Sequence, residues 1–157
     1  MILGLDPGRD KAGFAVAGDD KALFFSGIFP VEDRGLFWAA LRAGVCDVEA
    51  FRPWLREARL PPEGEARLCA IALGNGTYSG VLARDARDVE RCPFGCRVLD
   101  VDERGTTLEA RKLYWRLHGP AWWQRFLPGA MRVPPRPVDD LAAWAIAMRA
   151  AEMLLSL

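Results

Sequence analysis

The sequence predicts an α/β fold in which a mixed five-stranded sheet is flanked by helices, and three observations predict it. Residues 2–6, 13–17 and 22–29 are short runs of apolar and aromatic residues separated by turn signals, Pro7-Gly8 and Gly18-Asp19-Asp20. Such runs form an antiparallel meander. After them, two more strand-like runs alternate with helical stretches, the pattern of a sheet with helices packed on it. Residues 138–155 carry the clearest helical period, with Leu141, Ala145, Met148 and Glu152 along it.

Each element has its own signal. Residues 35–42 and 47–58 read as helical pieces. In the second, Asp47 is placed to cap the start, and Phe51, Trp54, Leu55 and Ala58 recur at helical spacing. Pro53 falls too far in for an ideal first turn. Pro61-Pro62-Glu63-Gly64-Glu65 reads as a surface loop. Residues 68–73 are continuously apolar and suit a strand buried on both faces, with Cys69 as a small core residue. Gly74-Asn75-Gly76-Thr77 ends that strand, and a polar helix follows over 79–89. Residues 97–101 form the fifth strand. Thr106 and Glu109 have capping-box spacing at the start of the next helix, which Gly119-Pro120 stops. Residues 121–127 are rich in aromatics, and 128–137 form a loop punctuated by Pro128, Pro134, Pro135 and Pro137.

A chain of 157 residues suits one domain. Its 51% apolar and 27% charged content exclude a disordered chain. The formal net charge is zero, which excludes a generic polycation, so any nucleic-acid surface has to come from segregated charge. That segregation is present. Between residues 104 and 136 stand Arg104, Arg111, Lys112, Arg116, Arg125, Arg132 and Arg136 against the single acid Glu109. The cysteines, Cys46, Cys69, Cys92 and Cys96, show no disulfide-framework spacing. Cys92-Pro93-Phe94-Gly95-Cys96 hints at zinc, but Cys46 and Cys69 are isolated and His118 is the only histidine, so a structural zinc site is not expected. The chain opens directly on a strand, without a signal-peptide pattern. Residues 141–157 are interrupted by Arg149 and Glu152 and are too short to span a bilayer. A cytoplasmic protein without membrane partners is expected.

Acidic residues recur at the ends of these elements. Asp6 sits at the tip of the first strand, where desolvation penalises a carboxylate unless positive charge meets it. Asp102-Glu103 follow the fifth strand, and Asp139-Asp140 open the last helix. Acids so placed suit a hard cation, Mg²⁺ or Mn²⁺, and hence metal-dependent chemistry on phosphodiesters. Gly4, two residues before Asp6 on the same face, would leave room for a phosphate or metal. Each acid also has a plainer reading. Asp6 can form an Asx-Pro turn. Asp102 and Glu103 are adjacent, so only one of them can face Asp6. Asp139 and Asp140 lie about 100° apart on a helix, and acids at a helix start also cap it. Gly74-Asn75-Gly76-Thr77 would offer backbone N–H groups and a hydroxyl to a phosphate at a helix N-terminus, or is an ordinary turn. Trp115, Trp122 and Trp123 among Arg111, Lys112, Arg116 and Arg125 could stack unpaired bases, or form a core face or a homodimer patch. His118 reads as a helix-end histidine.

Leu3-Gly4-Leu5-Asp6-Pro7-Gly8 with Gly13-Phe14-Ala15-Val16 resembles the opening motif of the RuvC and YqgF (RuvX) branch of the ribonuclease-H-like superfamily. The run from Val101-Asp102-Glu103-Arg104-Gly105-Thr106-Thr107 to Leu108-Glu109-Ala110-Arg111 resembles the YqgF signature. Val138-Asp139-Asp140-Leu141-Ala142-Ala143 resembles its closing motif, and only residues 31–64 have no counterpart. The resemblance implies one ribonuclease-H-like domain over 1–157 and a Mg²⁺- or Mn²⁺-dependent nuclease acting on structured RNA, such as pre-ribosomal RNA, or on branched DNA such as a Holliday junction. It implies Asp6, Glu103 and Asp139 as catalytic ligands of a metal pair, with Asp102 and Asp140 as their neighbouring alternates. Arg104 and Thr107 would hold a nearby phosphate, and Arg125 and Arg132 the rest of the nucleic acid. The loop Gly74-Asn75-Gly76-Thr77 departs from the usual Gly-Leu-Pro-like version and resembles the YqgF-type domain of the transcription accessory protein Tex. That implies the alternative of a catalytically weak binding module. An actin-like ATPase would need two such domains, and the chain has length for one.

Overall fold

The computed structural model describes residues 1–43, 47–59, 67–88 and 96–156. Three strands, β1 (Ile2–Pro7), β2 (Lys11–Ala17) and β3 (Leu23–Pro30), form the expected antiparallel meander. Next come a short 3₁₀ turn (Val31–Asp33), α1 (Arg34–Ala43), a longer 3₁₀ helix (Val48–Trp54) and β4 (Leu55–Ala58). β5 (Ala70–Gly74), α2 (Ser79–Arg87) and β6 (Arg97–Val101) make a parallel crossover. α3 (Thr106–His118), two 3₁₀ turns (Trp122–Phe126 and Gly129–Met131) and α4 (Asp139–Leu155) complete the order.

All six strands belong to one mixed sheet in the order β4-β3-β2-β1-β5-β6, with β1 in its interior and parallel to β5. The carboxyl ends of β1, β5 and β6 therefore open on the same edge, where crevices form in such sheets.

The sixth strand corrects the expectation of five. Residues 47–58 are a 3₁₀ helix followed by an edge strand. Pro53 cannot sit in a continuing α-helix, and Asp47 makes no side-chain cap. Leu55 and Ala58 fit both periods, and pairing with β3 decides for the strand. The capping box is also replaced. The cap of α3 is Gly105 at φ 81°, and the Thr106 hydroxyl instead donates to the Glu103 carbonyl at 2.7 Å. Cys69 is exposed rather than a core residue. The expected loop 61–65, Cys46, and Cys92 with its neighbours through Gly95 lie outside the described residues.

Alternation along β1 sorts the core into two halves. Leu3 and Leu5 join Phe14, Phe25, Phe29, Phe37, Phe51, Trp38 and Trp54 beneath α1 and the 3₁₀ helix Val48–Trp54. Ile2 lies on the opposite face with Ala15, Ala17, Ala70 and Ala72 against the alanines of α4. There the approach is too close for side chains. A Cβ on Gly4 would strike the Ala143 carbonyl, and one on Gly13 the Asp139 carbonyl. The space beside Gly4, expected to hold a phosphate or metal, is filled by the backbone of α4. Among the described residues, no helix is long and apolar enough to cross a membrane.

Candidate metal centre

Asp6 and Gly13 are cross-strand partners, and Gly13 touches the backbone of Asp139. The glycine contact thus sets the first turn of α4 beside the tip of β1. Glu103 arrives from the far side, two residues past the end of β6. Its Oε2 lies 2.8 Å from where a Cβ of Gly74 would stand, and its Oε1 occupies the space a Cβ of Gly76 would need. The glycines of this loop therefore make a cradle for a carboxylate of the chain itself.

Three bonds fix the backbone of Glu103 in that cradle. Its N–H donates to Asn75 Oδ1 at 3.4 Å, and its carbonyl accepts from the N–H of Thr106 at 3.0 Å and from the Thr106 hydroxyl. The Asn75 N–H donates to the Val101 carbonyl at 3.1 Å, tying the loop to the end of β6. The backbone N–H and the side chain of Asn75, expected to serve a phosphate, are thus engaged in positioning Glu103. Arg149 of α4 adds a clamp: it donates to the carbonyls of Asp102 and Arg104 and to Glu109 Oε2 at 3.0 Å. Sequence reasoning noted Arg149 only as an interruption of an apolar helix. Such an interruption is the signal that could have marked it.

The electrostatics follow from crowded acids. Burial, then the charge of Asp139, then that of Glu103 push the Asp6 carboxyl up from an ordinary 3.8 to about 7, against the pull of Lys11. Glu103 Oε2 is buried without a hydrogen-bond partner among the described residues. Asp139 Oδ2 is drawn to Lys11 Nζ at 2.9 Å. Lys11 was not singled out from sequence, and the hairpin register that starts β2 opposite the end of β1 is what brings it here. Asp139 and Glu103 both lie near enough to Asp6 for their charges to act on its carboxyl. Among the described residues, no three acidic, cysteine or histidine side chains are already gathered to hold an ion.

The residues nevertheless fit a cation. An orphaned carboxylate oxygen and a proton-retaining Asp6 are both relieved by positive charge placed between them. The donors are carboxylate oxygens, the chemistry that Mg²⁺ and Mn²⁺ take.

The neighbouring alternates are engaged elsewhere. Asp102 is exposed, and its Oδ1 accepts the N–H of Arg104 at 2.9 Å. Asp140 is fully buried, gripped by Arg136 at 2.8 and 3.2 Å and by the Ser26 hydroxyl at 2.7 Å. Arg136 also donates to Glu57 Oε1 at 2.7 Å, and His118 Nε2 lies 2.6 Å from the same oxygen. Burial opposes ionisation of Glu57, yet the bonds from His118 and Arg136 hold its carboxyl below the usual glutamate value. This buried network joins β3, β4, α3 and α4, and it gives His118 and Asp140 a structural task.

The expected substrate residues divide. Arg104, Thr107 and Arg125 are exposed. Arg132 folds back on its own loop, donating to the carbonyls of Leu127 at 3.1 Å and Arg125 at 3.2 Å. Thr77 lines a cleft of about 260 Å³ with Gly8, Arg9, Tyr78 and Arg84. Arg9 and Arg84, next to the turn that follows Asp6, are cations that the sequence reading left unremarked. No family model and no curated protein matches the chain.

Proposed function

We propose that the chain is a ribonuclease-H-like nuclease of the YqgF type that hydrolyses phosphodiester bonds in structured nucleic acid, RNA or branched DNA, with Mg²⁺ or Mn²⁺ bound by Asp6, Glu103 and Asp139. The observation that carries this reading is the orphaned Oε2 of Glu103, held in a two-glycine cradle, while the charges of Glu103 and of Asp139 from α4 both act on Asp6 at the tip of β1. A meander continuing into parallel β5 and β6 supports the fold assignment, with β4 as an added edge strand.

The ions, when bound, supply Lewis-acid stabilisation of the attacking and leaving oxygens. The chain supplies the geometry. Asn75 and Thr106 hold Glu103 at a fixed angle. Gly13 lets α4 approach until Asp139 stands beside Asp6. Asp6 gives up its retained proton when positive charge arrives, so occupancy of the site rises with pH toward neutrality. Arg9 and Arg84 flank the adjoining cleft with charge suited to the continuing phosphate backbone.

The Lys11–Asp139 ion pair favours a second reading, a binding module of the same fold in which an ammonium supplies the counter-charge. One experiment separates the two. Labelled RNA, single-stranded DNA and four-way junctions are incubated with Mn²⁺, Mg²⁺ or chelator. Metal-dependent cleavage that Asp6→Asn and Glu103→Gln abolish supports the nuclease. Binding without cleavage under every condition supports the module.

A further inference from the structure

We infer that the exposed aromatic segment after α3, with the cationic face of that helix, is a platform for unpaired nucleotides. The inference rests on the nucleic-acid reading above and names the form of substrate: single-stranded where it leaves the acids.

Trp122, Trp123 and Phe126 are 77%, 53% and 82% exposed, and their 3₁₀ helix buries none of its residues. Phe14, Phe37 and Trp38, by contrast, are packed away in the core. Three large rings left together on the surface mark an interaction site. The segment holds its shape without burying them. Gln124 Oε1 accepts the Ala121 N–H at 2.9 Å, Arg132 staples the carbonyls of Leu127 and Arg125, and Trp115 Nε1 donates to the Arg132 carbonyl at 3.0 Å. A platform that is already ordered loses little entropy when it binds.

Between α3 and this loop lies a cleft of about 550 Å³, with Leu108 and Trp115 as apolar lining and Arg111 and Lys112 beside them. Arg136 is consumed by Asp140 and Glu57, and Arg132 by its own loop. Arg104, Arg111, Lys112, Arg116 and Arg125 make no ion pair with another described residue; Arg111 is half-buried and the other four are exposed. α3 starts three residues after Glu103, so the cationic face leads directly away from the acids.

Charge complementarity selects the occupant. A single strand offers what this surface lacks, phosphates for the cations and open base faces for the rings. A duplex hides its base faces in the stack. A second copy of the chain would bring one cationic face against another, which like-charge repulsion opposes.

The test is binding of the full chain, in chelator, to a labelled 15-nucleotide oligo(U) or oligo(dT) and to a duplex of the same length. Tryptophan fluorescence and the salt dependence of affinity are followed together. The single strand should bind about tenfold or more tightly than the duplex and quench fluorescence. The triple variant Trp122→Ala, Trp123→Ala, Phe126→Ala should keep the wild-type melting curve and lose about tenfold or more in single-strand affinity with an unchanged salt slope. Arg111→Ala with Lys112→Ala should flatten the slope. Equal affinity for single strand and duplex overturns the inference, as does an unaffected triple variant. A dimer in sedimentation that the triple variant disperses also overturns it in favour of a copy-to-copy interface. So does poly-glutamate binding that matches the oligonucleotide and needs the same rings, in favour of an acidic protein. Cleavage is scored separately with Mn²⁺. Single-strand binding without cleavage keeps the platform and sinks the nuclease, whereas cleavage of a duplex-only ligand with the rings irrelevant does the reverse.

Discussion

On one face of the sheet Phe14, Phe25, Phe29 and Phe37 interlock, Phe29 and Phe37 stacked at 4.2 Å, under α1. On the other, Gly4, Gly13, Ala15 and Ala72 lie beneath Ala143, Ala147 and their neighbours in α4. Large rings interdigitate and bury much apolar area, so the first face supplies cohesion. Small residues bury less but bring backbones together, so the second supplies position. The candidate acids stand at the end of the second face. Stability and chemistry are thus assigned to opposite sides of one sheet, and substitutions should separate them.

The largest effect is expected at Gly4→Val, which drives a branched side chain into the backbone of α4 at Ala143. The cost should exceed about 4 kcal/mol, beyond ordinary overpacking, because backbone cannot move aside as a side chain can. Urea unfolding measures it, and a loss below about 1 kcal/mol would show that the close approach does not position α4. Phe37→Ala on the opposite face should cost about 3–5 kcal/mol by cavity formation. It should leave the response of the folded protein to Mn²⁺ unchanged. A weakened metal response there would break the division between the faces.

Asp140→Asn removes a buried charge facing Arg136 and should cost about 3 kcal/mol by leaving the guanidinium incompletely paired. Thermal melts check it, and a neutral result would mean Glu57 alone satisfies Arg136. Asp6→Asn should act in the opposite direction. The folded chain keeps the Asp6 proton up to about 7, whereas the unfolded chain releases it near 3.8. Stability therefore falls as pH rises between those values and stays lower above them. The substitution should be nearly neutral at pH 4 and stabilise by about 1–2 kcal/mol at pH 8 without metal, discounted for solvent and Lys11. Urea midpoints at both pH values give the sign, and stabilisation confined to acid pH would contradict it.

Part of the fold was legible in the sequence. The meander, the later strands alternating with helices, and α4 follow from apolar period and turn residues, which are local. What failed was non-local. Residues 55–58 carry no period strong enough to outweigh the helical spacing of Phe51 and Trp54, and only β3 makes them a strand. Asp139 and Asp140 are indistinguishable as adjacent acids. The Arg136–Asp140 spacing of four residues hinted at which one would be paired, but burial by Ser26 comes from 114 residues away. Arg132 and Arg125 look alike as loop cations, and only the folded loop turns Arg132 inward. The candidate acids stand out in the sequence because they fall at the ends of elements, and the resemblance is what prefers Glu103 to Asp102 and Asp139 to Asp140. Their supporting residues, Lys11 and Arg149, depend on register and tertiary contact, which composition does not carry.

The central claim is that Asp6, Glu103 and Asp139 share a divalent cation. Thermal melts of the wild type and Asp6→Asn, each with and without Mn²⁺ at pH 8, test it most directly. Ligand linkage should raise the wild-type midpoint, by about 2.7 kcal/mol of stability at a hundredfold excess over the dissociation constant, and raise the variant much less. Equal shifts in the two proteins, or none in the wild type, would contradict the account.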